Sequence, residues 1–319
     1  MCRYSIHLLA FMCAIAPFAL PAAAGGERGA DPAILSGAAS ATATNPEDIL
    51  ISDATGELEV LDLESLTVTP FHQFDVSGNY DIQYDGPHKI VIANYNQHRV
   101  ERFDLRTRQL EIIAAGPPLS RPIGIAVSPR GVYYIADSSG KIFSYDIGAG
   151  VLDLLAAVGP AGEHFTNPDG IVEDAQGRVV FTDFDGHIYR ITPRDKHIES
   201  VASIPGAELN GVALLHGGDL VVASSDSPPA LLRVNPDTGE ISTLYQGTPF
   251  RNPEDVAVDS DGKNVYVLDS DYKGSFSDSK PAIYVFNLST GTLSAVYVGP
   301  PLCACGIVDM LLRPFTGHP

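Results

Sequence analysis

Apolar and polar residues alternate in short runs along this chain, and the runs recur in groups. Residues 167–191 (NPDGIVEDAQGRVVFTDFDGHIYRI) form the fullest group. Ile171 and Val172 make one short apolar run, Gln176 and Gly177 a turn, and Val179-Val180-Phe181-Thr182 a second run. A turn ending at Gly186 then leads into an alternating strand at residues 187–191. Branched and aromatic side chains at a period of two, bounded by Gly, Asp and Asn, predict strands joined by tight turns. Such a hairpin cannot bury its own faces and needs neighbours. The pattern returns in residues 121–147 and 252–271, and more loosely from Asn79 and Glu208. A period in the forties built from short strands predicts a β-propeller.

Repeat units begin near Asp81, Gly124, Gly170, Gly211, Asp255 and Gly306, which makes six blades. The longest interval contains residues 270–281, a Ser/Asp/Lys-rich insertion of the kind that lies on a surface. Residues 49–74 align without gaps on residues 133–158, setting Asp53 on Asp137, Gly56 on Gly140 and Asp62 on Asp146. The first unit therefore has a second, third and fourth strand but no first. Residues 306–311 (GIVDML) match the start of the unit at Gly124 and supply the missing one. The expected fold is all-β, a six-bladed β-propeller closed by the C-terminal strand joining the first blade, which removes open sheet edges. A competing registration follows from Asn45-Pro46-Glu47-Asp48, which repeats Asn252-Pro253-Glu254-Asp255 and would make Ile49 innermost. It leaves only 33 residues from Asp48 to Asp81, too few for four strands and their turns.

The N-terminus changes the picture of the domains. Arg3 precedes an apolar run at residues 8–20 that Pro17 interrupts, and Ala22-Ala23-Ala24 offers a small-residue cleavage site. Residues 1–24 are expected to be a secretory signal peptide, residues 25–44 a flexible Ala/Gly/Ser-rich linker, and residues 45–319 the propeller domain. The protein is expected to be exported, periplasmic or secreted, and off the membrane once the signal is cleaved. Lys and Arg number 20 against 39 Asp and Glu, a net charge of −19. That balance excludes nucleic acid and anionic membrane as partners and favours cations and neutral or positive ligands.

In a blade, the start of the first strand and the end of the second lie on one face beside the central channel. Tyr80, Ile123, Asp169, Asn210, Glu254 and Cys305 fall in the first set; Asp53, Asn94, Asp137, Asp183, Ser224 and Asp269 fall in the second. An Asp at the end of a strand commonly caps the turn that follows, so the second set is expected to be structural. The first set is less regular. Asp169, Asn210 and Glu254 from three successive blades form an arc of hard oxygen donors, suited to Ca²⁺ or another divalent cation. Without a cation, crowded carboxylates repel one another, which raises some of their pKa values. His164 lies where it could reach the mouth as a base, although a loop His is more often solvated. Cys303 and Cys305, one residue apart, sit at the limit of disulfide reach and are expected to be structural or incidental.

Pro122-Ile123-Gly124-Ile125-Ala126-Val127 with Tyr134-Ile135-Ala136-Asp137, and residues 92–100 (IANYNQHRV), resemble NHL-type repeats. Pro168-Asp169-Gly170-Ile171 and Asn210-Gly211-Val212-Ala213 resemble elements of the gluconolactonase, senescence-marker-protein and luciferin-regenerating family. The second resemblance implies one divalent cation at the channel mouth, held by a Glu, an Asn and an Asp, the Asp acting as base. Asn210 matches the Asn position. By blade order the family's Asp falls on Glu254, Asp169 falls in the blade that contacts substrate, and the Glu column holds Cys305. The resemblance thus implies a metal-dependent hydrolase of lactones or related esters, with Glu254 or Asp169 activating water and Asn210, Glu254 and Asp169 as ligands. The competing class is a non-catalytic NHL-like module whose face binds a protein or glycan partner.

Overall fold

The computed structural model describes residues 48–53, 55–226, 228–271, 280–299 and 307–312, the last of these as backbone alone. Six four-stranded antiparallel sheets are arranged as a β-propeller, and the described residues form no helix. Strands within each blade are lettered a to d from the channel outwards. Blade 1 consists of Ile307–Leu312, Ile49–Asp53, Glu57–Asp62 and Thr67–Gln73, so the last strand of the chain pairs with the first. The pairing is antiparallel, with Ile49 opposite Leu312 and Ile51 opposite Met310. The ring closes as the sequence pattern predicts, and Ile49 stands in a second strand. The signal peptide, the linker, Cys303 and Cys305 fall outside the described residues.

Burial grades outward along each blade. Strands b are buried on both faces: Ile90, Val91, Ile92 and Ala93 of blade 2 have no exposed surface, and Val179, Val180 and Phe181 of blade 4 match them. That explains their unbroken apolar runs, because alternation is expected only where one face meets water. Strands d, such as Val151–Ala156 and Ile241–Gln246, keep exposed residues on their outer side. The core is accordingly six seams, one between each pair of blades. Ile49, Ile51 and Leu61 meet Leu268 and Ile283 where blade 1 joins blade 6. Val91, Ala93 and Val100 meet Ile125, Tyr133 and Phe143 where blade 2 joins blade 3.

Two local devices position the channel mouth. In blades 2 to 6, strand a carries a register shift near its start, at residues 79–82, 122–124, 168–171, 209–212 and 253–255. A bulge of this kind re-aims one side chain while the rest of the ladder stays regular. The second device is the set of acids at the ends of strands b. Asp137 Oδ2 accepts the N–H groups of Ser120 and Arg121, Asp183 those of Thr166 and Asn167, and Asp269 those of Arg251 and Asn252. Each carboxylate so ties down the loop that enters its own blade. Asp53 caps its own turn through the N–H groups of Thr55 and Glu57. These side chains are structural, as the turn chemistry predicts, and their reach extends to the entry loop as well.

Candidate functional site at the channel mouth

The bulges bring Tyr80, Ile123, Asp169 and Glu254 from four blades to one cavity of about 70 Å³, whose wall also includes Asp81, Gly170, Gly211 and Asp255. Glycine is required for the inner strands to approach this closely. A Cβ on Gly124 would lie 1.9 Å from the Asp169 carbonyl oxygen, and one on Gly211 would lie 2.7 Å from Asp255 Cα. Among the described residues four carboxylates line the cavity and no Lys, Arg or His does.

Glu254 is the best-held of them. Its Oε1 accepts a hydrogen bond from Ser270 Oγ at 2.9 Å and another from Asn252 Nδ2. Burial pushes its pKa up to about 7, with Asp269 and Asp255 adding to the rise and the two donors opposing it. The Asp169 carboxyl is raised well above its ordinary value, first by burial and then by the negative charges of Glu254, Asp81, Asp255 and Asp183. Tyr80 is pushed up to about 12 by burial, helped by Tyr95, Glu254 and Asp169, so its phenol stays protonated at neutral pH. The Tyr80 ring packs against Tyr95 with centroids 5.0 Å apart. Arg121 completes the rim. Its Nη1 donates to Tyr95 Oη at 3.2 Å, and its guanidinium lies 5.8 Å from the centre of the Tyr95 ring.

Of the three residues singled out as ligands, Asp169 and Glu254 share the cavity wall. Asn210 is buried outside it, donating Nδ2 to the Pro253 carbonyl at 2.9 Å while its backbone carbonyl accepts Thr182 Oγ1 at 2.6 Å. Among the described residues no three His, Cys, Asp or Glu side chains gather into a ligand group. His164 is exposed and does not line the cavity. Tyr95, Arg121, Asn252 and Ser270 were not anticipated as site residues. Tyr95 and Ser270 each follow the last residue of a strand b, Asn94 and Asp269, and that one-step change of parity turns them toward the mouth. The available signal was the position after each capping residue rather than the cap.

No family model and no curated protein matches the chain. Several solved structures resemble it. A chain of the nidogen/laminin complex aligns with a TM-score of 0.65 at 18% identity, over 80% of this chain and 93% of that one. A streptogramin B lyase aligns with a TM-score of 0.59 at 15% identity, over 80% of this chain and 84% of that one. Virginiamycin B lyase from Staphylococcus aureus aligns with a TM-score of 0.55 at 19% identity, over 68% and 69%. At such identities the likeness is one of architecture, and architecture hosts many unrelated functions. What blade count, ring closure and these neighbours establish together is that the chain is a six-bladed β-propeller.

Proposed function

We propose that the channel mouth is an active site for hydrolysis of a lactone or related ester. The observation that supports this most is the convergence of Asp169 and Glu254, from separate blades, on one small cavity that no basic group among the described residues lines. A cavity of about 70 Å³ admits a carbonyl group and an attacking water, while the rest of a substrate stays on the rim. Glu254, held by Ser270 and Asn252 and poised near neutrality, takes the proton of the attacking water. The water oxygen bonds to the carbonyl carbon to give an oxyanion, the carbonyl re-forms as the ester C–O bond breaks, and Glu254 returns the proton to the departing alkoxide. Asp169, whose carboxyl is pushed toward the protonated form by burial and neighbouring negative charges, is placed to donate to the developing oxyanion, and Arg121 on the rim suits an acidic substituent on the substrate.

The cavity's carboxylates also suit a hard divalent cation such as Ca²⁺. Of the residues in the cavity wall, Asp169 and Glu254 would hold it. A bound cation would supply polarisation of the carbonyl. The fold likeness to a chain of the nidogen/laminin complex supports a second reading, a non-catalytic module that binds a protein or glycan through this face. A lactone and ester panel with calorimetric titration of Ca²⁺ and Mg²⁺ separates the two. Turnover lost in Glu254→Gln and Asp169→Asn, each with native circular dichroism, is the expected result. Absence of turnover across the panel, or variants as active as wild type, refutes the catalytic reading in favour of the binding module.

A further inference from the structure

On the face opposite the acidic cavity, the floor of blade 2 reverses the sign of the protein's charge. Strand a of that blade, Asn79–Tyr84, runs from the mouth down to a turn at residues 85–88, and strand c, Arg99–Asp104, ends at a second turn beside it. A hollow of about 600 Å³ lies between the two turns, with His88, Lys89, Arg102 and Arg106 in its wall together with Asp85 and Asp104. Both carboxylates are committed. Asp85 Oδ2 accepts Tyr133 Oη at 2.7 Å and faces Arg102 Nη1 at 3.5 Å. Asp104 Oδ1 accepts the backbone N–H groups of Arg106 and Thr107, each at 2.9 Å. Arg102 is fixed in turn by Glu111, at 2.7 Å from Nη2 and 3.2 Å from Nε. The side chains of His88, Lys89 and Arg106 enter no ion pair among the described residues.

The fold does not need those cations. The same turn is capped in the same way by Asp62, Asp146, Asn235 and Asn287 in other blades. There the position of Arg106 holds Glu64, Gly148, Asp237 and Ser289, so its chemistry is free to vary. Lys89 stands opposite Asp104 in the ladder, where blade 3 sets Val132 opposite Asp146. Blade 4 also has Arg194 and Arg178 at these two places, but Arg178 is paired with Asp174 at 2.6 Å, so a floor with two such cations outside any ion pair is found, among the described residues, in blade 2. The net charge of −19 does not cancel it, because salt screens exposed charges beyond about 8 Å at physiological ionic strength.

We propose that this hollow binds the oxyanion of a small ligand, a phosphate or sulfate group that is either free or esterified to a sugar. Arg106 supplies the planar fork that matches such a group, and Lys89 a point charge beside it. The site is independent of the acidic cavity and of the reaction proposed there. Calorimetry on the full chain with inorganic phosphate, glucose 6-phosphate and a sulfated disaccharide tests it. One saturable site is expected, weakened about tenfold by Arg106→Ala or by Lys89→Ala and further by added salt. Arg233→Ala, in blade 5 and paired with Asp219, is expected to leave binding unchanged. Stronger binding of an ester than of inorganic phosphate identifies the esterified source, and the reverse identifies the free ion. No binding by any probe on the order of 10 mM, or a natively folded Arg106→Ala/Lys89→Ala double variant that binds like wild type, overturns the assignment.

Discussion

Glu59 stands opposite Ile51 in blade 1, at the position where other blades place Phe143, Tyr189 and Tyr284 in their seams. Blade 2 also has an acid there, Glu101, but pairs it with Arg99 and Asn94. Among the described residues Glu59 has no such cation and its Oε2 has no hydrogen-bond partner, and it is 3% exposed. Burial, with Glu57 and Asp53 adding repulsion, pushes its pKa up to about 7 from 4.5. The folded state thus holds a proton that the unfolded chain releases. Its contribution is intact below about pH 4.5 and is lost as pH rises through about 7. Glu59→Gln is expected to be more stable than wild type at pH 8 by about 1–3 kcal/mol and little different at pH 4.5. Denaturant melts at the two pH values check this, and an equal loss of stability in both proteins between them would sink it. At this scale the chain gave uneven notice of its chemistry. Asp169 and Glu254 stand out because a column of repeats shows where the pattern departs from itself. Tyr95 and Ser270 were marked only by their place after a capping residue, and Arg121 meets Tyr95 between two blades, which no period within a blade reports.

In blades 2, 3, 4 and 6 the first residues of strand a do two jobs, closing the channel and presenting a side chain to it. The bulges do the second; Gly124, Gly170 and Gly211 do the first by admitting the backbone of the next blade. Gly124→Ala is expected to cost about 2–4 kcal/mol, since its Cβ would meet the Asp169 backbone, which has no rotamer to yield. Gly217→Ala, where a Cβ meets nothing within 4 Å, is the matched control and is expected to cost little. Equal melting temperatures for the two variants would show that the inner strands have slack. Strands, turns and blade count were all readable from alternation and spacing, because each blade repeats the same burial gradient from channel to rim. The bulges were not, since a bulge inserts a residue without changing residue type. The placement of Asn210 followed from that. It shares a column with Asp169 and Glu254, yet its amide is given to Pro253 and lies outside the cavity wall.

The molecule as a whole is held shut by one pairing between distant parts of the chain, Ile49–Asp53 with Ile307–Leu312. Deleting residues 306–319 is expected to lower the melting temperature by more than about 10 °C and to broaden the transition, because blades 1 and 6 would both lose a neighbour. An unchanged melt would mean the ring is sealed elsewhere. The same pairing sets an order on synthesis. The first strands of blade 1 leave the ribosome about 250 residues before their partner exists, a wait of roughly 13–50 s at typical elongation rates. Blades 2 to 5 can complete their own sheets during that wait. Blade 1 cannot, and its open edge, Ile49-Leu50-Ile51, is apolar and exposed until the final strand arrives. The interval before closure is when the nascent chain is most open to mispairing with another copy of itself, so a chaperone that shields this edge would raise the yield of closed rings without touching the finished fold.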